Sequence, residues 1–185
     1  LEDMKATGIV RRVDELGRLV IPKEIRRTMR LAEGTPLEIF TDREGQIILK
    51  KYSPMMELGS FAKQYAESVA QTMNQKVAVS DRDQIIAVAG GGKRELLGKT
   101  ISRQLEEMII NRENSIQAGL DKKTIPLISG DEDSYSAQAI YPICCEGDCI
   151  GAVILYSREN QTHFSETEYK AAACAASFLG KQMEG

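Results

Sequence analysis

Seven basic side chains crowd into the twenty residues from Arg11 to Arg30, RRVDELGRLVIPKEIRRTMR. With Lys5 they make the stretch Met4 to Arg30 strongly positive, 8 basic residues against 3 acidic, or +5. The chemistry such a stretch can do is to grip a polyanion. Guanidinium suits it twice over, by bidentate pairing with phosphate and by reading guanine edges. Arg11 and Arg12 are neighbours on an expected strand, so their side chains leave opposite faces. Arg26 and Arg27 fall on a short expected helix, about 100° apart, with Arg30 one turn further on. Arg18 and Lys23 open the second strand and the helix. The competing reading is intramolecular pairing with Asp14, Glu15 or Glu24 on a solvated face, where ion pairs stabilise little.

Three other groups of residues invite a chemical reading. Ala89-Gly90-Gly91-Gly92-Lys93-Arg94 resembles a phosphate loop, but Ala87 stands where the pattern needs its first glycine. Arg94 also replaces the hydroxyl that would hold Mg²⁺. What remains, Gly91, Gly92, Lys93 and Arg94, is a candidate anion-binding edge for an unidentified small-molecule effector; otherwise it is a turn. Cys144, Cys145 and Cys149 suggest metal or thiol chemistry. Adjacent strand residues point to opposite faces, so Cys144 and Cys145 are poorly placed for one ion, His163 is the lone histidine, and small buried core residues are expected instead. Asp131-Glu132-Asp133 opens like a calcium loop, but its twelfth position is Pro142 rather than glutamate. No metal and no resident cofactor are expected.

The elements that must position these groups fall into two sets. Ala6 to Val13 and Arg18 to Ile21 read as strands around the turn Asp14 to Gly17. Pro22 is expected in the first turn of a helix over Lys23 to Met29, which ends near Gly34. Leu37 to Thr41 and Gln46 to Lys50 make a second hairpin. This ββαββ module of about 48 residues is too short to enclose a good core, so it should dimerise. After a linker, Ser53-Pro54 opens a helix whose stripe runs through Met55, Leu58, Ala62, Tyr65, Ala66, Val69 and Met73. Strands follow at Lys76 to Ser80 and Gln84 to Ala89, then an amphipathic segment through Ile101, Leu105 and Ile109. Residues 111–136 lack sustained periodicity. Gln138 to Cys145 and Cys149 to Ser157 form a hairpin, and Ser165 with Glu168 is a capping box for an alanine-rich last helix.

The net charge of −3 conceals a split: residues 1–52 carry 11 basic and 9 acidic side chains, residues 53–185 carry 13 and 18. One part therefore suits a polyanion and the other does not. No secretory pattern opens the sequence and no apolar run nears the ~18 residues of a membrane span. A cytoplasmic protein with reduced thiols, and without a membrane partner, is expected.

The run MKATGIVRRVDELGRLVIPKEIRRTMRLAEGTPLEIF resembles the swapped-hairpin DNA-binding domain of the AbrB transition-state regulators. Pro142-Ile143, Gly147 and Ile150-Gly151-Ala152-Val153-Ile154-Leu155 resemble the GAF pattern. The resemblance implies an α+β chain, with an intertwined, barrel-like DNA-binding dimer over 4–53 and a GAF-like sandwich over 54–185 that senses and oligomerises. Arg11, Arg18, Arg26 and Arg27 fall on the family's DNA-contact positions, with Arg12, Lys5, Lys23 and Arg30 as secondary contacts. It further implies a non-enzymatic regulator of double-stranded DNA, activating some late forespore-stage genes and repressing others. The expected assembly is a homotetramer built through the first and last GAF helices, including the face Ala172 to Ala176. Two alternatives compete: an antitoxin-like DNA-binding protein, and a GAF-type thiol enzyme using Cys144, Cys145 or Cys149.

Overall fold

The computed structural model describes residues 6–52, 59–118, 124–131, 135–159 and 162–184. The chain divides into two compact units, Leu1–Tyr52 and Ser53–Gly185. Lys5, the Ser53-Pro54 helix opening, and Met55 and Leu58 of the expected stripe lie outside the described residues.

In the first unit the expected strands Ala6 to Val13 and Arg18 to Ile21 form no ladder among the described residues. The turn between them is closed by backbone bonds: Asp14 N–H donates to Arg18 O and Gly17 N–H to Asp14 O, each at 3.0 Å. The reason lies in the pattern. Their apolar side chains, such as Val10 at 83% exposed and Val20 at 71%, have no same-chain surface to lie on. Helix α1, Lys23–Thr28, starts after Pro22, which is the N-cap rather than the first helical residue. Its end comes before Gly34. Arg30 takes the left-handed position at φ 51°, Leu31 N–H reaches back to Arg26 O at 2.7 Å, and Arg30 N–H to Arg27 O at 3.3 Å. That pair of bonds is a Schellman close, with an arginine where glycine is usual. Strands β1, Leu37–Thr41, and β2, Ile47–Lys51, pair antiparallel with Leu37 opposite Lys51 and Phe40 opposite Ile48. Asp42 closes their turn by accepting from Glu44 and Gln46 N–H at 2.9 and 2.8 Å.

The second unit is a five-stranded antiparallel sheet with helices on both faces. Its elements are α2 (Gly59–Met73), β3 (Lys76–Asp81), β4 (Ile85–Ala89), α3 (Lys93–Leu96), α4 (Arg103–Ile110), β5 (Ser115–Ala118), β6 (Ala137–Cys145), β7 (Asp148–Ser157) and α5 (Glu166–Gln182). The strand order is β4-β3-β7-β6-β5. Alternation along the central strands builds two cores. Val77, Val79, Val153 and Leu155 face α2 and α5, while Ala78, Ala152 and Ile154 face the side of α4. Helix α2 contributes Ala62, Ala66 and Ala70 to the first core, and α5 contributes Ala172, Ala175, Ala176 and Leu179. The alanine face therefore packs on its own sheet, which corrects the expectation that it meets another chain: small side chains let the helices sit close to the strands.

Strand β5 lies within the segment that showed no periodicity. It is a four-residue edge strand paired with β6, Ser115 opposite Ile140. The irregular stretch after it is held by Gln138, whose buried amide accepts from Ile125 N–H at 2.9 Å and donates to Ile125 O at 2.6 Å, as a strand backbone would. Helix α4 is capped by Ser102, which accepts from Leu105 N–H at 3.1 Å. Helix α5 has the expected capping box, with Ser165 accepting from Thr167 N–H and donating its own N–H to Glu168 at 2.7 Å.

Candidate nucleic-acid interface

The basic side chains of the first unit are carried by three pieces of local structure. The segment before the turn holds Arg11 and Arg12, the turn itself ends in Arg18, and α1 displays Lys23, Arg26 and Arg27, with Arg30 just beyond. All seven are exposed. Helix α1 buries none of its residues, and Ile25 is its one partly covered side chain. Six residues make fewer than two turns, too short for a recognition helix lying in a groove. Its arginines are exposed.

The turn is organised by one carboxylate. Asp14 Oδ1 accepts from the backbone N–H of Leu16 at 2.9 Å and of Arg18 at 2.8 Å, and its Oδ2 accepts from Arg18 Nε at 2.7 Å. Gly17 supplies the φ of 73° that lets the chain reverse in this space. The backbone hydrogen bond from Arg18, then its guanidinium, holds the Asp14 carboxyl below its ordinary value. The intramolecular pairing weighed from sequence is thus present at Arg18. It uses one edge of the guanidinium, Nε, and the turn fixes where the rest of the group stands. Arg11 donates from Nη1 to Val10 O at 2.9 Å. Arg12, Lys23, Arg26 and Arg27 have no ion pair with another described residue.

Beside these cations lies an apolar groove of about 480 Å³, lined by Ile9, Leu19, Ile21, Ile25, Leu37 and Leu49 among others. Pro22 is the one buried residue among those described in this unit. Exposed apolar surface on this scale marks a binding surface.

In the second unit, Gly90, Gly91 and Gly92 all have positive φ, and Tyr156 hydroxyl donates to Gly91 O at 3.0 Å. A β-carbon on Gly90 would lie 2.5 Å from Gln75 O, so the loop needs glycine to pass that carbonyl. Lys93 and Arg94 are exposed on the four-residue α3. The face of the sheet behind them is filled by Leu96, Ile101, Leu105 and Leu127, each at 1% exposure or less. The cysteines depart from expectation: Cys144 and Cys149 are joined in a disulfide across the β6–β7 hairpin, while Cys145 and Cys174 are free. A bulge between Ile143 and Cys144 shifts the register so that Cys144 faces Cys149, a pairing that alternation alone did not foresee.

Comparison with known proteins matches these two units to two kinds of relative. A family described as "Stage V sporulation protein T C-terminal, transcription factor" covers residues 57–184, and one described as "Antidote-toxin recognition MazE, bacterial antitoxin" covers residues 10–56. The chain is 50% identical over 181 residues to stage V sporulation protein T of Bacillus subtilis, covering 98% of this chain and 99% of that one. It is 66% identical over 53 residues to the transition state regulatory protein AbrB of the same organism, covering 29% of this chain and 54% of the other. The fold of the second unit is that of the GAF domain from an Acinetobacter phosphoenolpyruvate-protein phosphotransferase, with a TM-score of 0.54 at 13% identity over 72% of this chain and 84% of that chain. With its cationic turn and helix on an AbrB-like module and its GAF-type second unit, the chain belongs to the stage V sporulation protein T family of sporulation transcription regulators.

Proposed function

We propose that the first unit closes into a DNA-binding dimer, with the groove of one copy filled by the turn and strands of the next, and that its arginines then present a continuous cationic surface. The observation that carries this reading is the exposure of most apolar side chains of the unit beside the seven exposed cations. Shared burial supplies the core that the single copy lacks. Arg11, Arg18, Arg26 and Arg27 are the principal contacts, and Arg12, Lys5, Lys23 and Arg30 add to the grip on phosphate. Recognition runs through turns and DNA shape rather than a helix laid in a groove. The protein works in the cytoplasm on the nucleoid, activating some late forespore-stage promoters and repressing others.

The second unit joins these dimers into a tetramer. The surface suited to it is the outer side of α2 and α5, where Phe61 is 47% exposed, Phe178 is 38% exposed, and Tyr65 stacks on Phe178 at 4.9 Å. This replaces the alanine face as the contact. Linking two DNA modules raises the effective concentration of the second once the first is bound.

The test is binding of full-length protein to an operator fragment across a salt series. Arg26→Ala and Arg27→Ala should each weaken binding, and each lost phosphate contact should lower the slope of log K against log salt by about one per DNA module. Folded variants that bind with wild-type affinity and slope would remove these residues from the interface.

A further inference from the structure

The β6–β7 hairpin carries Cys144 and Cys149, joined in a disulfide, next to its turn. The turn Glu146-Gly147 has φ of 47° and 87°, the left-handed pair of a two-residue hairpin turn. Cys145 faces Asp148 next to that turn, and Cys144 faces Cys149 one step further in. Such a position sets the two side chains directly across from each other on one face of the hairpin. Cys144 is exposed, while Cys149 is 3% exposed and faces the core on the α4 side. The surroundings hold the backbone of this tip from three directions. Arg82 Nε donates to Cys149 O at 2.6 Å, Arg112 donates to Gly147 O, and Gly180 of α5 lies against Cys144 O, leaving no room for a β-carbon.

A transcription regulator works in the compartment that holds the chromosome, where thiols are kept reduced, and a disulfide there is characteristically transient, sensing or catalytic. We propose that Cys144 and Cys149 form a reversible redox pair, Cys144 being the sulfur that meets the external reagent and Cys149 the one that resolves it, and that the state of the pair sets how firmly the last turn of α5 is seated. This rests on the cytoplasmic placement proposed above. The Cys144 thiolate attacks a low-molecular-weight disulfide, forms a mixed disulfide and expels one thiolate. Cys149 then attacks the Cys144 sulfur, the intramolecular bond forms, and the second thiolate leaves. Two cysteine thiols lose two electrons and two protons, and the external disulfide becomes two thiols. A dithiol reductant runs the same steps backwards. Cys145 is the less reactive neighbour: burial pushes its thiol up, with the Glu146 and Glu184 carboxylates adding to the effect. The coupling to α5 follows from Gly180, because the carbonyl it rests on belongs to one of the two bridged residues.

The experiment uses purified full-length protein, needs no DNA, and so fails or succeeds separately from the DNA-binding reading. After equilibration in glutathione buffers of graded redox poise, the protein is acid-quenched, unfolded, alkylated with N-ethylmaleimide and weighed intact. Oxidised protein should take label only at Cys145 and Cys174, and reduced protein at all four cysteines, with a reversible transition between them. Cys145→Ser should leave that transition in place, and Cys144→Ala, at the exposed position, should abolish it. Amide exchange in the last turn of α5 should speed up severalfold on reduction. The site is overturned if all four thiols label in excess glutathione disulfide, if the bridge resists excess dithiol in folded protein, or if Cys145→Ser removes the transition. Unchanged exchange in α5 would overturn the coupling.

Discussion

A carboxylate beside a DNA-binding arginine is usually read as a competitor for it, and at Asp14 the geometry supports the opposite role. The carboxylate spends one oxygen on two backbone N–H groups of the turn and the other on the inner edge of Arg18. Removing it removes a negative charge from the expected interface but also releases the turn. We expect Asp14→Ala to weaken operator binding by about tenfold, because the lost hydrogen bonds to a charged group outweigh the relief of repulsion. Glu15→Ala, which loses a charge with no such bonds, should bind as tightly as wild type or up to about threefold tighter. Fluorescence anisotropy on both variants checks the pair of expectations; tighter binding by Asp14→Ala would make it a simple competitor. Most of the candidate site was legible at this scale. Charge density marked the run from Arg11 to Arg30 as an exposed cationic surface, and its seven basic residues are exposed; the choice of Arg11, Arg18, Arg26 and Arg27 among them came from the family resemblance. The part of Asp14 was not legible, since sequence spacing does not separate an anchoring carboxylate from a competing one.

At the scale of elements, helix ends were easier to read than strand membership. Ser165 and Glu168 announced the start of α5 because a capping box depends on four consecutive residues alone. Strand β5 escaped notice because an edge strand of four residues is defined by its partner β6, about twenty residues away in sequence. The Cys144–Cys149 pairing escaped for a similar reason, a bulge that no local pattern marks. The segments around Asp14 show the converse: their strand-like composition is genuine, but composition cannot supply the second strand of a ladder. The cap itself yields an expectation. Burial raises the Glu168 carboxyl, but its hydrogen bonds with Ser165 outweigh that and leave it below its ordinary value. A depressed carboxyl contributes stability above its unfolded pKa and loses it as pH falls through the folded one. Ser165→Ala should cost about 1 kcal/mol at about pH 7, lowering the midpoint of the second unit by a few degrees. The difference from wild type should shrink towards about pH 3, and calorimetry at the two pH values reads it.

At the scale of the whole molecule, the two units differ in how they obtain a core. The second buries large side chains such as Ile140, Ile154 and Leu155 completely. Its remaining apolar exposure includes Phe61 and Phe178, and Phe178→Glu is expected to lose the proposed tetramer in light scattering while leaving dimers. Operator affinity should fall with it, by tenfold or more where both modules bind one fragment. A folded variant that stays tetrameric would place the contact elsewhere. The first unit leaves its apolar side chains open to solvent, and this has a consequence for how a cell reads the protein. In the dimer proposed above, the module has no folded fraction of its own, because that fraction follows the amount of chain present. While dimers are scarce, their number rises with the square of the chain concentration, so a twofold change in synthesis becomes nearly a fourfold change in active species. The dosage threshold at which such a regulator begins to act is then written in the exposed valines, leucines and isoleucines around its arginines.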